Sequence, residues 1–187
     1  METPTSVADI VTRYLLQSPG ANVFVGRSSL EYLAAFTDIG VELYALGLAT
    51  SDQPRFRSDQ IILSIDYEPP RWWSGAFPTV IAADLFADEP TAQRRLLLTQ
   101  HLVELLSPTG RLLLSTFDFT PIAAQASDTR HQPTPLSFGF HSLSLELKLL
   151  GLELETFYTD QHIGVFRRQN RPLSEHPTLR DGVPATT

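Results

Sequence analysis

Residues 77–116 read FPTVIAADLFADEPTAQRRLLLTQHLVELLSPTGRLLLST. An apolar run at Thr79–Ala83 predicts a strand. Asp88, Glu89 and Pro90 open a long helix through Leu106, and Ser107-Pro108-Thr109-Gly110 ends it. Arg111–Thr116 is a second apolar run. Strand, helix and strand in about 40 residues make a parallel βαβ unit, whose strands carry continuous apolar runs because both sheet faces are covered.

The same grammar extends upstream. Val7, Ile10, Val11, Tyr14 and Leu15 share one face of a helix that Thr5 or Ser6 caps and Ser18-Pro19-Gly20 ends. Asn22–Val25 predicts a buried strand before Gly26. Ser28 with Glu31 three residues on reads as a capping box for a helix reaching about Phe36. Val41–Leu46 and Ile61–Ile65 predict two more strands. The polar segment Thr50–Asp59 between them contains Pro54, which leaves room for at most one helical turn. Pro69, Pro70 and Gly75 mark a loop carrying Trp72 and Trp73.

Downstream, residues 118–141 have no clear period and predict a long loop. Ser142–Leu150 predicts a helix with Gly151 past its end. Leu152–Tyr158 and Ile163–Arg168 predict a closing hairpin, and so an antiparallel edge strand. The proline-bearing tail 170–187 predicts disorder. The expectation is one α/β domain over residues 1–169, with a mostly parallel sheet and helices on both faces.

Bulk properties narrow the function. There are no cysteines, so thiolate nucleophiles, disulfides and Cys-ligated metals are excluded. The net charge of −7 and scattered Arg pairs argue against nucleic-acid binding. No apolar run or leader-like start suggests a membrane or an export route, so a cytoplasmic location is expected. The five His residues lack zinc-ligand spacing, so no metal is expected. No G-x-S-x-G elbow or P-loop motif appears.

This order of elements resembles the class I S-adenosylmethionine-dependent methyltransferases over about residues 5–168. Phe24-Val25-Gly26 sits where that family's first glycine loop sits. Phe77–Asp84 is similar to its fourth strand. Leu105–Leu112, LLSPTGRL, is similar to its turn into the fifth strand and is the most specific match. The resemblance implies a Rossmann-like seven-stranded sheet with an antiparallel C-terminal strand. It also implies a cofactor site at Gly26, Arg27, Ser28, Gly47, Asp66 and Asp84. Gly26 is retained there. Phe24 stands where the family has an acid near the cofactor's amino group, and Ser28 and Leu30 stand where it has glycines. Gly47 falls at the position of the ribose acid. Asp66 follows the third strand, where a family residue meets the adenine amino group, and Asp84 follows the fourth, near the methyl-transfer face. Arg27 can reach a carboxylate or phosphate, or be a solvated loop residue. Asp66 and Asp84 can equally be loop caps. The amides at Ser28 and Ser29 can attract an anion.

Asp118, His131 and His141 are the candidate catalytic groups, as a substrate acid and as general bases. Weak or absent binding of S-adenosylmethionine is expected. Three functions stay open: methylation of a small molecule, a non-catalytic partner or regulatory subunit binding another protein, and a repurposed pocket. For the second, the Trp72-Trp73 loop and the face left open by a short second crossover are the candidate interface.

Overall fold

The computed structural model describes residues 6–49, 55–58, 60–82, 85–86, 91–115 and 140–169, with backbone alone at 55–58 and 140–142. The candidates Asp84, Asp118 and His131, and the tail 170–187, lie outside the described residues. His141 lies in a helix, with no side chain described.

Helix α1 (Val7–Gln17) begins in a full capping box. The Asp9 amide donates to Ser6 Oγ at 3.1 Å, and the Ser6 amide donates to Asp9 Oδ2 at 3.0 Å. Its apolar face buries Ile10, Val11, Tyr14 and Leu15, as its spacing predicts. Strand β1 (Ala21–Val25) alternates between two cores: Val23 and Val25 enter one, Phe24 the other. Helix α2 (Ser29–Phe36) follows. Strand β2 (Glu42–Leu48) pairs parallel with β1, while β3 (Arg55–Ser58) forms an antiparallel hairpin with β4 (Ile61–Ser64). After two 3-10 turns come β5 (Phe77–Ala82), helix α3 (Ala92–Leu105), β6 (Leu106–Ser115), helix α4 (Phe140–Leu149), β7 (Leu152–Tyr158) and β8 (Ile163–Arg168).

The sheet order is β3-β4-β2-β1-β5-β6-β8-β7. Strands β4, β2, β1, β5 and β6 run parallel, and β8 is antiparallel to both neighbours. Seven of the eight described strands are the expected set. Helices α1 and α2 cover one face, over Phe24, Ile81, Leu113 and Val165. Helices α3 and α4 cover the other, over Val23, Val80, Leu112 and Phe166.

Four details differ from expectation. The described part of the second crossover, 55–58, is an added strand rather than a turn, because β4 offers it an unpaired edge. The antiparallel strand is not at the edge: β8 inserts between β6 and β7, leaving β7 outermost. Ser107–Gly110 is not a turn outside the sheet but an irregular start of β6. There Phe77 pairs with Leu106 and Thr79 with Arg111. A Cβ on Gly110 would stand 3.0 Å from the Phe77 carbonyl oxygen, so the bulge requires glycine. Helix α3 is capped by Thr91, whose Oγ1 accepts from the Arg94 amide at 3.3 Å.

The sheet's far edge is tied across β8. Arg111 donates through Nε and Nη2 to the two carboxylate oxygens of Glu155, at 2.8 and 3.3 Å. Its guanidinium lies 6.0 Å from the Tyr14 ring centroid, and the Tyr14 and Tyr158 hydroxyls meet at 3.3 Å. Burial, and then the bond to Tyr158, push the Tyr14 phenol well above its ordinary range.

Candidate functional site

In open α/β sheets ligands collect beyond the carboxyl ends of the parallel strands. Here that end is formed by Gly26 after β1, Leu48-Ala49 at the close of β2, Asp66 after β4, and Ser115 at the close of β6.

Gly26 is buried and has φ +141°, a conformation that side chains other than glycine's rarely allow. Its N–H donates to the Leu46 carbonyl at 3.1 Å, and its own carbonyl accepts from the Ser29 amide at 3.3 Å. The chain therefore turns tightly from β1 into α2. The capping box expected of Ser28 and Glu31 does not form: Ser28 has φ −88° and ψ 15°, with no side-chain cap bond. The turn already takes the Ser29 amide, and the Tyr32 amide donates to the Ser28 carbonyl at 3.0 Å. Arg27 is exposed in this turn, and Ser28 is half-buried.

Phe24 is 1% exposed. Its ring stacks on Tyr32 and on Phe36, each at 5.7 Å between centroids and with interplanar angles of 17° and 21°. Tyr32 and Phe36 are four apart on α2, so one helix face supplies both partners. An aromatic layer occupies this position beneath the glycine turn.

Gly47 is buried within β2. A Cβ there would stand 2.7 Å from Leu63 Cδ2, 3.2 Å from Ser29 Oγ and 4.0 Å from the Gly26 carbonyl oxygen. The position faces the packing under α2. Beyond it β2 ends at Leu48 and Ala49 follows, neither able to accept a hydrogen bond through its side chain.

Asp66 sits with φ 57° and ψ 19°, and Tyr67 follows with φ 55°. Two left-handed residues in succession are uncommon outside tight turns. They swing the chain back toward α3, where Arg94 Nη2 donates to Asp66 Oδ1. The ring nitrogen His101 Nδ1 lies 3.2 Å from the Asp66 carbonyl oxygen. A carbonyl only accepts, so that nitrogen carries the proton. Asp66 is thus held to α3 by two side chains absent from the sequence-based list. A shallow cavity of about 410 Å³ lies beside this pair, lined by Thr91, Gln93, Arg94, Leu96, Leu97 and Gln100. It opens on the outward side of α3, not over the glycine turn.

The tryptophan loop is elsewhere. It precedes β5 and so lies at the amino end of the sheet. Trp73 is buried edge-on against Tyr44 and Phe77, while Trp72 is 68% exposed. Another residue missed from sequence is His162, left-handed at φ 53° in the β7–β8 turn. Both Ser115 and Tyr158 pair with Ile163, which puts this turn beside the carboxyl end of β6. Nothing in the spacing of the chain signals it. Among the described residues no group of three or more His, Asp or Glu side chains is arranged to hold a metal ion.

No family model matches the chain, and no curated protein does. Solved structures do. A 1,6-didemethyltoxoflavin-N1-methyltransferase from Burkholderia thailandensis, with bound 1,6-didemethyltoxoflavin and S-adenosylhomocysteine, is 14% identical. The match covers 91% of this chain and 94% of that one, with a TM-score of 0.58. The chain has the class I methyltransferase fold. A SAM-dependent methyltransferase from Aquifex aeolicus shares the fold at 12% identity, over 86% of this chain and 87% of that one, with a TM-score of 0.55. The [4+2]-cyclase SpnF shares it at 11% identity, over 87% and 79%, with a TM-score of 0.56. The methyltransferase fold thus carries cyclase chemistry too, and its presence alone does not fix a reaction. No helix among the described residues is long and apolar enough to cross a membrane.

Proposed function

We propose that this chain is a pseudo-methyltransferase: it keeps the methyltransferase fold, does not bind S-adenosylmethionine at working affinity, and serves in the cytoplasm as a non-catalytic partner or regulatory domain for another protein. The observation that carries this reading is Phe24, sealed between Tyr32 and Phe36 where the resemblance calls for an acid. Two further features point the same way. Gly47 offers no ribose acceptor and faces packed groups, and the Asp66 carboxylate is engaged by Arg94. The residues present do not fit the cofactor. A site without the ribose acceptor forfeits two hydrogen bonds to a charged group, about 3–6 kcal/mol together. That is roughly two to four decades in affinity. Trp72, exposed at the opposite end of the sheet, is the kind of aromatic that protein partners cover.

A second reading, methylation of a small molecule, is favoured by the backbone of Gly26, which keeps the glycine-only conformation at the head of the site. Catalysis would then rest mainly on positioning, with Asp118, His131 or His141 as the candidate proton acceptor. Calorimetric titration of the purified chain with S-adenosylmethionine separates the two. The pseudo-methyltransferase reading expects a dissociation constant in the high micromolar range or weaker. Low-micromolar binding defeats it and favours an active enzyme.

A further inference from the structure

We infer that copies of this chain join edge to edge, with β3 of one copy pairing antiparallel to β7 of the next, so that one sheet runs through both. The two strands lie at the rims of the sheet, away from the Gly26 turn. The contact is therefore independent of whether S-adenosylmethionine binds.

Three features of the two edges fit each other. The first is direction. Among the described residues β3 and β7 are the outermost strands, each paired on one side only. Strand β3 runs antiparallel to β4. Strand β7 runs with the parallel set, because the antiparallel steps from β6 to β8 and from β8 to β7 restore its direction. Copies set side by side in the same orientation thus bring β7 against β3 as an antiparallel pair, the commoner kind.

The second is the sheet face. By backbone register Phe56 stands opposite Ile62, which belongs to the core under α3 and α4. Arg55 stands opposite Leu63, one residue along and so on the α1–α2 face. On the other rim Leu154 stands opposite Phe166, in the same α3–α4 core, and Glu153 opposite Arg167 on the α1–α2 face. Copies in one orientation keep their faces. The phenylalanine row then meets the leucine row of β7, and the arginine row meets the glutamates. Leu154 is 45% exposed, and Leu145 and Leu149 of the adjoining α4 are exposed as well.

The third is charge. The sequence of β3 is Arg55-Phe56-Arg57-Ser58, and β7 opens Leu152-Glu153-Leu154-Glu155. Opposite charges facing each other across a strand pair attract, and like charges repel. A two-fold contact of β7 with β7 would set glutamates against glutamates, and one of β3 with β3 arginines against arginines. Charges on edge strands ordinarily prevent pairing. Here they prevent like edges from meeting and leave unlike edges matched. Such head-to-tail contacts build open rows, or rings where the rotation closes. The contact is short, because β3 has four residues and each strand carries a bulge, after Phe56 and after Leu154. Arg111 already binds Glu155, so Glu153 carries most of the attraction. The association is accordingly weak.

Sedimentation velocity of the full chain over a range of concentrations tests this, with hydrogen exchange read at β3 and β7. Species larger than a dimer should grow with concentration and recede at high salt. Amides of β3 and β7 should exchange more slowly as they do. Arg55→Glu and Glu153→Lys should each weaken association about tenfold. An equimolar mixture of the two variants should recover it, because every junction again sets an acid against a base. Both variants should melt as the parent does, which tells a lost contact from a lost fold. Should one melt early, exchange in the parent chain decides alone. The inference is overturned if the chain stays monomeric up to about 1 mM, the weak end of measurable association. It is equally overturned if either folded variant associates as the parent does, if the mixture stays monomeric, or if exchange at β3 and β7 is unchanged on association.

Discussion

Gly47→Asp is the substitution that the family pattern offers as a repair of the ribose site, and the structure predicts that it fails. A Cβ on Gly47 meets Leu63 Cδ2 at 2.7 Å and Ser29 Oγ at 3.2 Å. The first contact is the tip of a flexible side chain and yields cheaply. The second is fixed by the first turn of α2. Overpacking of this kind costs about 1–3 kcal/mol, and replacing a strand glycine returns about 0.5–1. Gly47→Ala should therefore destabilise by about 0–2 kcal/mol. The Asp carboxylate adds a buried charge beside the Gly26 carbonyl oxygen. The helix dipole and Ser29 Oγ offset this by about 1 kcal/mol, against a desolvation penalty of several. The net expectation for Gly47→Asp is a loss of about 3 kcal/mol. At about 2–4 °C per kcal/mol for a chain of this size, the midpoint falls by roughly 6–12 °C. Thermal unfolding followed by circular dichroism measures it, with calorimetry for the cofactor. A variant that melts within about 2 °C of the parent and binds S-adenosylmethionine tenfold more tightly would show that residue 47 opens into the pocket, refuting the packing argument.

Other expectations concern packing and pH. Ser6→Ala removes the capping box of α1 and should cost about 1 kcal/mol, read as a 2–4 °C drop in the unfolding midpoint. Phe24→Ala should cost about 3–5 kcal/mol, and a double-mutant cycle with Tyr32→Ala should show about 0.5–1.5 kcal/mol of coupling between the stacked rings. The Tyr14 phenol titrates higher in the folded chain than unfolded, so its contribution is complete below about pH 10 and is lost as pH rises further. Tyr14→Phe should flatten that alkaline loss, and an unchanged slope of stability against pH would place its origin elsewhere.

Much of the fold was legible because it depends on local periodicity. The face of α1, the doubly buried run of β1 and the closing hairpin are all written in the spacing of apolar residues. The failures share a cause, which is tertiary context. Arg55–Ser58 has no strand-like alternation and becomes a strand because β4 has a free edge. Ser107–Gly110 carries turn residues yet stays extended, where Arg168 Nη1 donates to the Leu106 carbonyl at 2.7 Å. Ser28 and Glu31 have the spacing of a capping box, but the tight turn at Gly26 sets the entry into α2 instead. The site was less legible than the fold. The Arg94–Asp66 pair joins residues 28 apart, and the left-handed pair Asp66-Tyr67 that permits it leaves no mark on composition. What could be read was the replacement at Phe24, since Tyr32 and Phe36 stand on one face of a predicted helix.

The three positions at which the resemblance places a polar contact to the cofactor are not equivalent: Phe24 and Gly47 depart from it, whereas Asp66 keeps its carboxylate. A lone Phe in place of an acid, left facing a pocket, would be an exposed ring and a liability. Phe24 instead has two partners, placed one helical turn apart on α2 and both buried. Those partners gain nothing from an acid at residue 24, so the three rings make sense only together. Residue 24 is therefore part of the core, with the stability that core residues bring. Asp66 is the contrary case. It keeps its carboxylate, and its pair with Arg94 is more than a third exposed on both sides, so the pair contributes little to stability. An acid there is easily released, whereas one at residue 24 would have to displace a packed layer. An acid introduced at residue 24 or 47 should thus meet packed groups, whereas the acid at Asp66 is held by an exposed ion pair alone. That asymmetry is what the proposed pseudo-methyltransferase reading expects.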